Sequence, residues 1–256
     1  MKNKRSIEVG LNDAGRKTIF LIGGIAALLT VAVAFAEMLI TFLPGGNETV
    51  ETVYEWFALL QSNAFMGLRN LGLLNIFMVS LGIPLYFALY TAHSNANKTF
   101  AGLALSISFI SVAVFFATNR AFAMLDLSHQ YAQAAAEAQR AVYAAAGQAM
   151  LSVGRSHSPG TFMAFFLAEV GGILMSVVLL QGKIFSRVTA LAGIAGFSLL
   201  LIFEICTTFI PALQSAAMLF AVGGGILNIA WMVMVGQRFL KLARVKEMSR
   251  SAAPAY

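Results

Sequence analysis

Hydrophobic and polar positions along the chain alternate in long blocks rather than with the short period of a soluble sheet or helix. Six apolar windows stand out, at residues 18–43, 64–90, 99–118, 160–180, 188–209 and 213–236. About 20 apolar residues in a helix cross the hydrocarbon core of a bilayer, so each window predicts a membrane span. The expected fold class is an all-α integral membrane protein, one polytopic domain over residues 1–256. The first window is much longer than the apolar core of a signal peptide and is read as a permanent span.

Residues 119–159, between the third and fourth windows, break the pattern. The stretch "YAQAAAEAQRAVYAAAGQAM" is rich in strong helix formers yet too polar to span. It predicts an outer amphipathic helical segment lying on or dipping into the membrane interface.

Composition agrees. Hydrophobic residues make up 59% of the chain and charged ones 11%, against about 25% charged in a soluble domain. The single cysteine, Cys206, excludes an intrachain disulfide. The net charge of +6 suits an anionic inner leaflet better than nucleic acid in a chain this apolar. Lys and Arg are distributed unevenly. Lys2, Lys4, Arg5, Arg16, Lys17, Lys98, Lys183, Arg187, Arg238, Lys241, Arg244, Lys246 and Arg250 fall on the side of the two termini. Only Arg120, Arg140 and Arg155, all in the long segment, fall on the other. The first loop there carries Glu48, Glu51 and Glu55, with Trp56 and Phe57 placed as an interfacial anchor. The positive-inside rule then puts both termini in the cytoplasm.

The candidate chemistry lies in the charges inside the spans: Glu37, Glu169, Glu204 and Arg69. A charge at the bilayer centre costs between about 2.5 and 17 kcal/mol, depending on scale and access to water. Glu37 and Glu204 are each expected some 8–9 Å below the outer ends of their spans. Arg69 enters span two to a matching depth, and Glu169 lies nearer the midplane. Asn70, Asn75 and Asn119 add amides to the outer half, and Asn228 lies deeper in span six. The cost falls if these groups converge on one another or on a cavity open to the outside. Consecutive antiparallel spans are usually neighbours, so Glu37 and Arg69 form the expected pair. That leaves Glu169 and Glu204 without a visible cation, either holding their protons or meeting something positive. Glu37, Arg69, Asn75, Glu169, Glu204 and Asn228 are the candidate binding residues. The plainer alternative is that they hydrogen-bond across helices as structural glue or snorkel to the interface. The glycine clusters Gly23-Gly24, Gly171-Gly172, Gly193 with Gly196, and Gly223 to Gly225 predict close helix packing.

Other chemistries find no support. His93 falls in an inner loop and His129 and His157 in the outer segment, so no intramembrane histidine pair for haem is expected. No H-E-x-x-H, phosphate-binding loop or dinucleotide fingerprint occurs, and no nucleophile–base pair is visible. Asp126 and His129, three residues apart, with His157 are too few to argue a metal. No cofactor and no metal are expected, and an enzyme acting on lipid ranks third among the readings because no nucleophile–base pair is visible.

Three stretches carry a resemblance: "LRNLGLLNIFMVSLGIPLYFALY" (68–90), "FATNRAFAMLDLSHQYAQAAAEAQRAVYAAAGQAML" (116–151) and "ILNIAWMVMVGQRFLKL" (226–242). They are similar to an uncharacterised bacterial and archaeal multi-pass membrane family, a domain of unknown function of the DUF4386 type. The resemblance implies a membrane architecture, a prokaryotic origin and an outer segment integral to the fold, and it brings no activity. The expected function is binding or transport of a small cationic or amphiphilic molecule through an outward-facing polar pocket, in a prokaryotic cytoplasmic membrane. The alternative is a non-transporting membrane module, a partner subunit or sensor, with the polar residues as scaffold. Expected partners are the bilayer, anionic at the basic tails, and an unidentified small ligand, with no nucleic acid.

Overall fold

A computed structural model describes residues 13–41, 43, 50–154 and 157–244. Lys2, Lys4, Arg5, Glu48, Arg155, Lys246 and Arg250, which entered the charge count, lie outside them. The described residues form α1 (Asp13–Thr41), α2 (Val53–Ser62), α3 (Ala64–Asn70), α4 (Leu73–His93), α5 (Lys98–Thr118), α6 (Ala121–Gln133) and α7 (Glu137–Gly154). There follow α8 (Phe162–Gly182), α9 (Arg187–Phe209) and α10 (Gln214–Arg244). Among them, α1, α4, α5, α8, α9 and α10 are long and apolar enough to cross a membrane. No strand occurs among the described residues.

The six long helices form a closed ring in chain order. Each packs against the next, and α10 returns to pack against α1. Because the count is even, the start of α1 and the end of α10 lie at one end, called here the tail end. The other is the cap end. Ring closure uses small residues: a Cβ on Gly24 would stand 3.1 Å from the Gly236 carbonyl oxygen, and one on Gly224 3.0 Å from that of Gly196. Without a hydrophobic force between helices in lipid, such backbone approach is what holds them. The expectation for the triple glycine is corrected in part. Gly224 packs, Gly223 meets only Leu199 at 3.5 Å, and Gly225 faces open space.

The tail half of the ring is filled. Leu85, Leu89, Met175, Val178, Leu179, Trp231, Val235 and Phe239 are all buried there, as are Ala26, Ala27, Ala101 and Ala190. Phe197 meets Trp231 edge-on, with ring centroids 5.2 Å apart. His93 is not a loop residue. It ends α4, is fully buried, bonds the Leu89 carbonyl through Nδ1 at 2.9 Å and stacks on Phe185.

The second predicted span, 64–90, is interrupted. Asn63 accepts the Met66 N–H at 3.1 Å and starts α3. Leu71 and Gly72 return their N–H groups to Gly67 and Arg69 at 3.1 and 2.9 Å. Gly72 takes φ +98°, a left-handed conformation that a Cβ would strain, and the chain restarts as α4. Hydropathy alone reads straight through "RNLGLLN" because every residue after Asn70 except glycine is apolar until Asn75.

The outer segment is likewise two helices, α6 and α7. They pack with α2 and α3 into a cap layer that has its own core of Val53, Trp56, Phe57, Leu60, Leu71, Ala121, Met124 and Ala144. Trp56 and Phe57 are therefore core residues of the cap rather than an interfacial anchor. Thr52 and Glu55 form a capping box at the start of α2, a reciprocal satisfaction of free helix N–H groups. The Glu55 carboxyl is held below its usual range by the Thr52 and Glu51 backbone N–H groups.

Candidate functional site: an acid pair beneath the cap

The charged residues predicted for the spans gather at the cap end in two separate clusters. The first is the Glu37–Arg69 ion pair, with Arg69 Nη2 2.9 Å from Glu37 Oε1. Its construction differs from the expectation in one respect. Arg69 belongs to α3, outside the spanning helix α4, and reaches the end of α1 from the cap layer. Nη2 also donates to the Glu37 carbonyl oxygen at 2.8 Å and to Thr41 Oγ1, while Nη1 donates to Asn70 Oδ1 at 2.9 Å. Arg69 thus covers carbonyl and hydroxyl groups in the last turn of α1, where helix carbonyls lack internal donors and a cation meets the negative end of the dipole. Its side chain is 5% exposed and that of Glu37 31%.

The second cluster is Glu204 with Glu169. Glu204 faces inward from the last turns of α9, with its side chain 2% exposed. It has a partner that the sequence did not show. His157, in the turn before α8, brings Nδ1 to 2.6 Å from Glu204 Oε2, and Thr208 Oγ1 donates to Oε1 at 3.4 Å. His157 holds a left-handed φ of 56°. Its ring stacks on Phe165 at 4.8 Å and meets Phe203 edge-on at 4.8 Å. Two aromatic walls, one from α8 and one from α9, therefore fix the imidazole over the acid.

Glu169 follows Phe165 by one turn on the same face of α8, about 10 Å from the cap end of that helix. It lies within electrostatic reach of Glu204 and of the buried Tyr86 hydroxyl. Its Oε2 is out of contact with solvent and has no hydrogen-bond partner among the described residues. A buried carboxylate oxygen in that position is a costly exception to the rule that buried polar atoms are satisfied. The group must hold a proton, meet water or meet a cation.

The remaining candidates do not join the acids. Asn75 lies beside Asn119 over Gly72: a Cβ on that glycine would be 3.8 Å from Asn75 Nδ2 and 3.3 Å from Asn119 Nδ2. Asn119 Oδ1 accepts the Ala121 N–H and starts α6. Asn228 sits where α10 crosses α9, its backbone nitrogen 3.1 Å from a Cβ on Gly196. Asp126 accepts a bond from Gln130, and among the described residues no three His, Cys, Asp or Glu side chains gather as a metal site would require. Sequence reasoning missed His157 and Tyr86. The signal for His157 was its place in the short connection into α8, which must lie near the end of α9 if those spans pair.

The fold and these clusters define a polytopic α-helical membrane protein, six long apolar helices in a ring with an acid pair under a helical cap. The chain belongs to the family described as Domain of unknown function (DUF4386), whose family model matches residues 62–236. That span takes in α3 to α10 up to Gly236, including the broken second span, the cap helices α6 and α7, and both Glu169 and Glu204. No curated protein and no solved structure matches the chain.

Proposed function

We propose that the protein binds a small cationic or amphiphilic molecule at Glu169 and Glu204, entering from the cap side, and moves it or couples its binding to protons. The observation that carries this reading is the buried, unpartnered Glu169 Oε2 beside a second acid. The arginines described on the cap side are engaged elsewhere: Arg69 with Glu37, Arg120 with the Leu151 carbonyl, and Arg140 with Ala134 and Glu137. Intramembrane acids in such surroundings serve as ion and proton sites in transporters.

In this reading the protein sits in a prokaryotic cytoplasmic membrane with the tail end inward. Arg16, Lys17, Lys98, Lys183, Arg187, Arg238, Lys241 and Arg244 all lie at that end, which supports the orientation. The filled tail half favours a second reading, a sensor or partner subunit whose acids are scaffold.

Glu169→Gln discriminates between them, since the amide imitates a protonated carboxyl. As a binding or coupling group, Glu169→Gln leaves the protein folded but abolishes binding of a hydrophobic cation such as tetraphenylphosphonium, or removes its dependence on pH between about 5 and 9. A variant that binds the probe like the wild type across that range would leave the scaffold reading standing.

A further inference from the structure

At the tail end, a cavity of about 200 Å³ opens between the α8–α9 turn and the last turns of α10, lined by Phe185, Ser186, Thr189, Met234, Gln237, Arg238 and Lys241. Its chemistry is divided. Phe185 and Met234 are apolar. Ser186, Thr189 and Gln237 bring two hydroxyls and an amide, and Arg238 and Lys241, one helical turn apart on α10, bring two cations.

The arginine is held in place. Its Nε donates to the Ile184 carbonyl at 2.8 Å, which fixes the guanidinium across the α8–α9 turn. No hydrogen bond ties Nη1 or Nη2 to another described residue. Ser186 caps α9 by accepting the Thr189 N–H at 3.1 Å, and its Oγ lies 2.9 Å from Thr189 Oγ1. The two hydroxyls are thereby locked side by side. The acids of α8 and α9 are at the cap end, and α10 has none. Among the described residues, Asp13 at the start of α1 is the one acid at the tail end. Among the described residues lining the cavity the charge is therefore positive, from Arg238 and Lys241.

We infer that this cavity is a binding site for a phosphate group. A planar guanidinium with free Nη donors matches phosphate oxygens bidentately, and a lysine one turn away adds a point charge. The volume holds several waters at about 30 Å³ each, and hence a phosphate with part of its substituent. Two sources share this chemistry, an anionic phospholipid headgroup and free phosphate. At the end of spanning helices, a lipid would place its head among Arg238, Lys241 and Ser186. Its chain would lie along the exposed Val188 and Leu191 of α9. The site is independent of the acid pair at the other end of the ring.

The test uses the full chain purified in a non-ionic detergent, with phosphatidylglycerol added and retention read by native mass spectrometry. Inorganic phosphate is the competitor. Arg238→Gln with Lys241→Gln is expected to lower lipid retention at least about tenfold, the effect of losing charge-assisted hydrogen bonds. Arg16→Gln with Lys17→Gln removes the same charge from the same end and is expected to change it less than about twofold. Lys241→Gln alone is a second variant, because its exposed side chain makes no hydrogen bond among the described residues and its loss does not threaten folding. Displacement of lipid by millimolar phosphate would make free phosphate the ligand, and resistance to displacement would make it the lipid headgroup. Equal retention by the two double variants, or no loss with Lys241→Gln, would overturn the site and leave only general attraction to a basic surface.

Discussion

Removing Arg69 tests the joint between the cap layer and the ring. Arg69→Met keeps the aliphatic stem and deletes the guanidinium. With it go the 2.9 Å ion pair with Glu37, the bond to the Glu37 carbonyl, that to Thr41 and that to Asn70. Orphaning one member of a buried ion pair costs about 3–5 kcal/mol. Glu37 is 31% exposed and can recover some hydration, which places the ion-pair loss near the low end, about 3 kcal/mol. Glu37→Gln is milder. Its amide oxygen can still accept from Arg69, and the carbonyl, Thr41 and Asn70 acceptors remain, so about 1–2 kcal/mol is expected. In a chain of this size, about 1 kcal/mol corresponds to some 2–4 °C of melting temperature.

Thermal unfolding in detergent, followed by intrinsic fluorescence, should therefore place Arg69→Met roughly 6–12 °C below wild type and Glu37→Gln roughly 2–8 °C below. The double variant should melt no lower than Arg69→Met alone, because neither leaves a charge for the other to miss. The coupling should reach about 1–2 kcal/mol. Strictly additive losses, or a larger loss for Glu37→Gln than for Arg69→Met, would refute the reasoning.

Two further predictions concern packing and sidedness. Gly193→Ala would drive a Cβ into Ser176 Oγ and within 2.6 Å of the Trp231 ring, which is fully buried and has no room to yield. A loss of about 3 kcal/mol is expected, whereas Gly225→Ala, with nothing within 4 Å, should be neutral or slightly stabilising, by up to about 1 kcal/mol. Equal melting temperatures for the two would argue against the α8–α9–α10 contact. In a Cys206→Ser background, a membrane-impermeant thiol reagent applied from outside should label Gln133→Cys in the cap and miss Asn95→Cys in the α4–α5 turn, both exposed sites. The reverse pattern would invert the orientation.

The six spans were legible because a run of apolar residues is matched directly to its solvent, a property each window carries alone. The Glu37–Arg69 contact was legible from chain order but not from depth, because Arg69 reaches Glu37 from α3 in the cap layer and not from within a span. The break at Gly72 was not, since a single left-handed residue interrupts a helix without altering hydropathy. Nor was the cap core legible: Trp56 and Phe57 resemble interfacial aromatics, and only the fold shows that α6 and α7 cover them. His157 escaped notice for the same reason. It was read by its segment, which is polar, and not by its neighbours across α9, which include Glu204.

The two ends of the ring treat charge in opposite ways, and the difference follows from what fills each half. At the cap end, Arg69, Arg120 and Arg140 are each bonded to groups of the cap itself or to the end of α1, so the positive charge of these described residues holds loops and helix ends together. Glu169 and Glu204 remain, beneath an imidazole that is 37% exposed and therefore reachable from that side. Toward the tail, Leu85, Leu89, Met175, Val178 and Leu179 are buried to within 1% and offer no polar atom to a charged species. In the proposed reading, a proton or cation at Glu169 would exchange with the cap side, where His157 is partly exposed. In the same reading, passage to the tail would require the α4–α8 contact to open, and the closely packed Leu85, Leu89, Met175, Val178 and Leu179 would be the barrier to that motion.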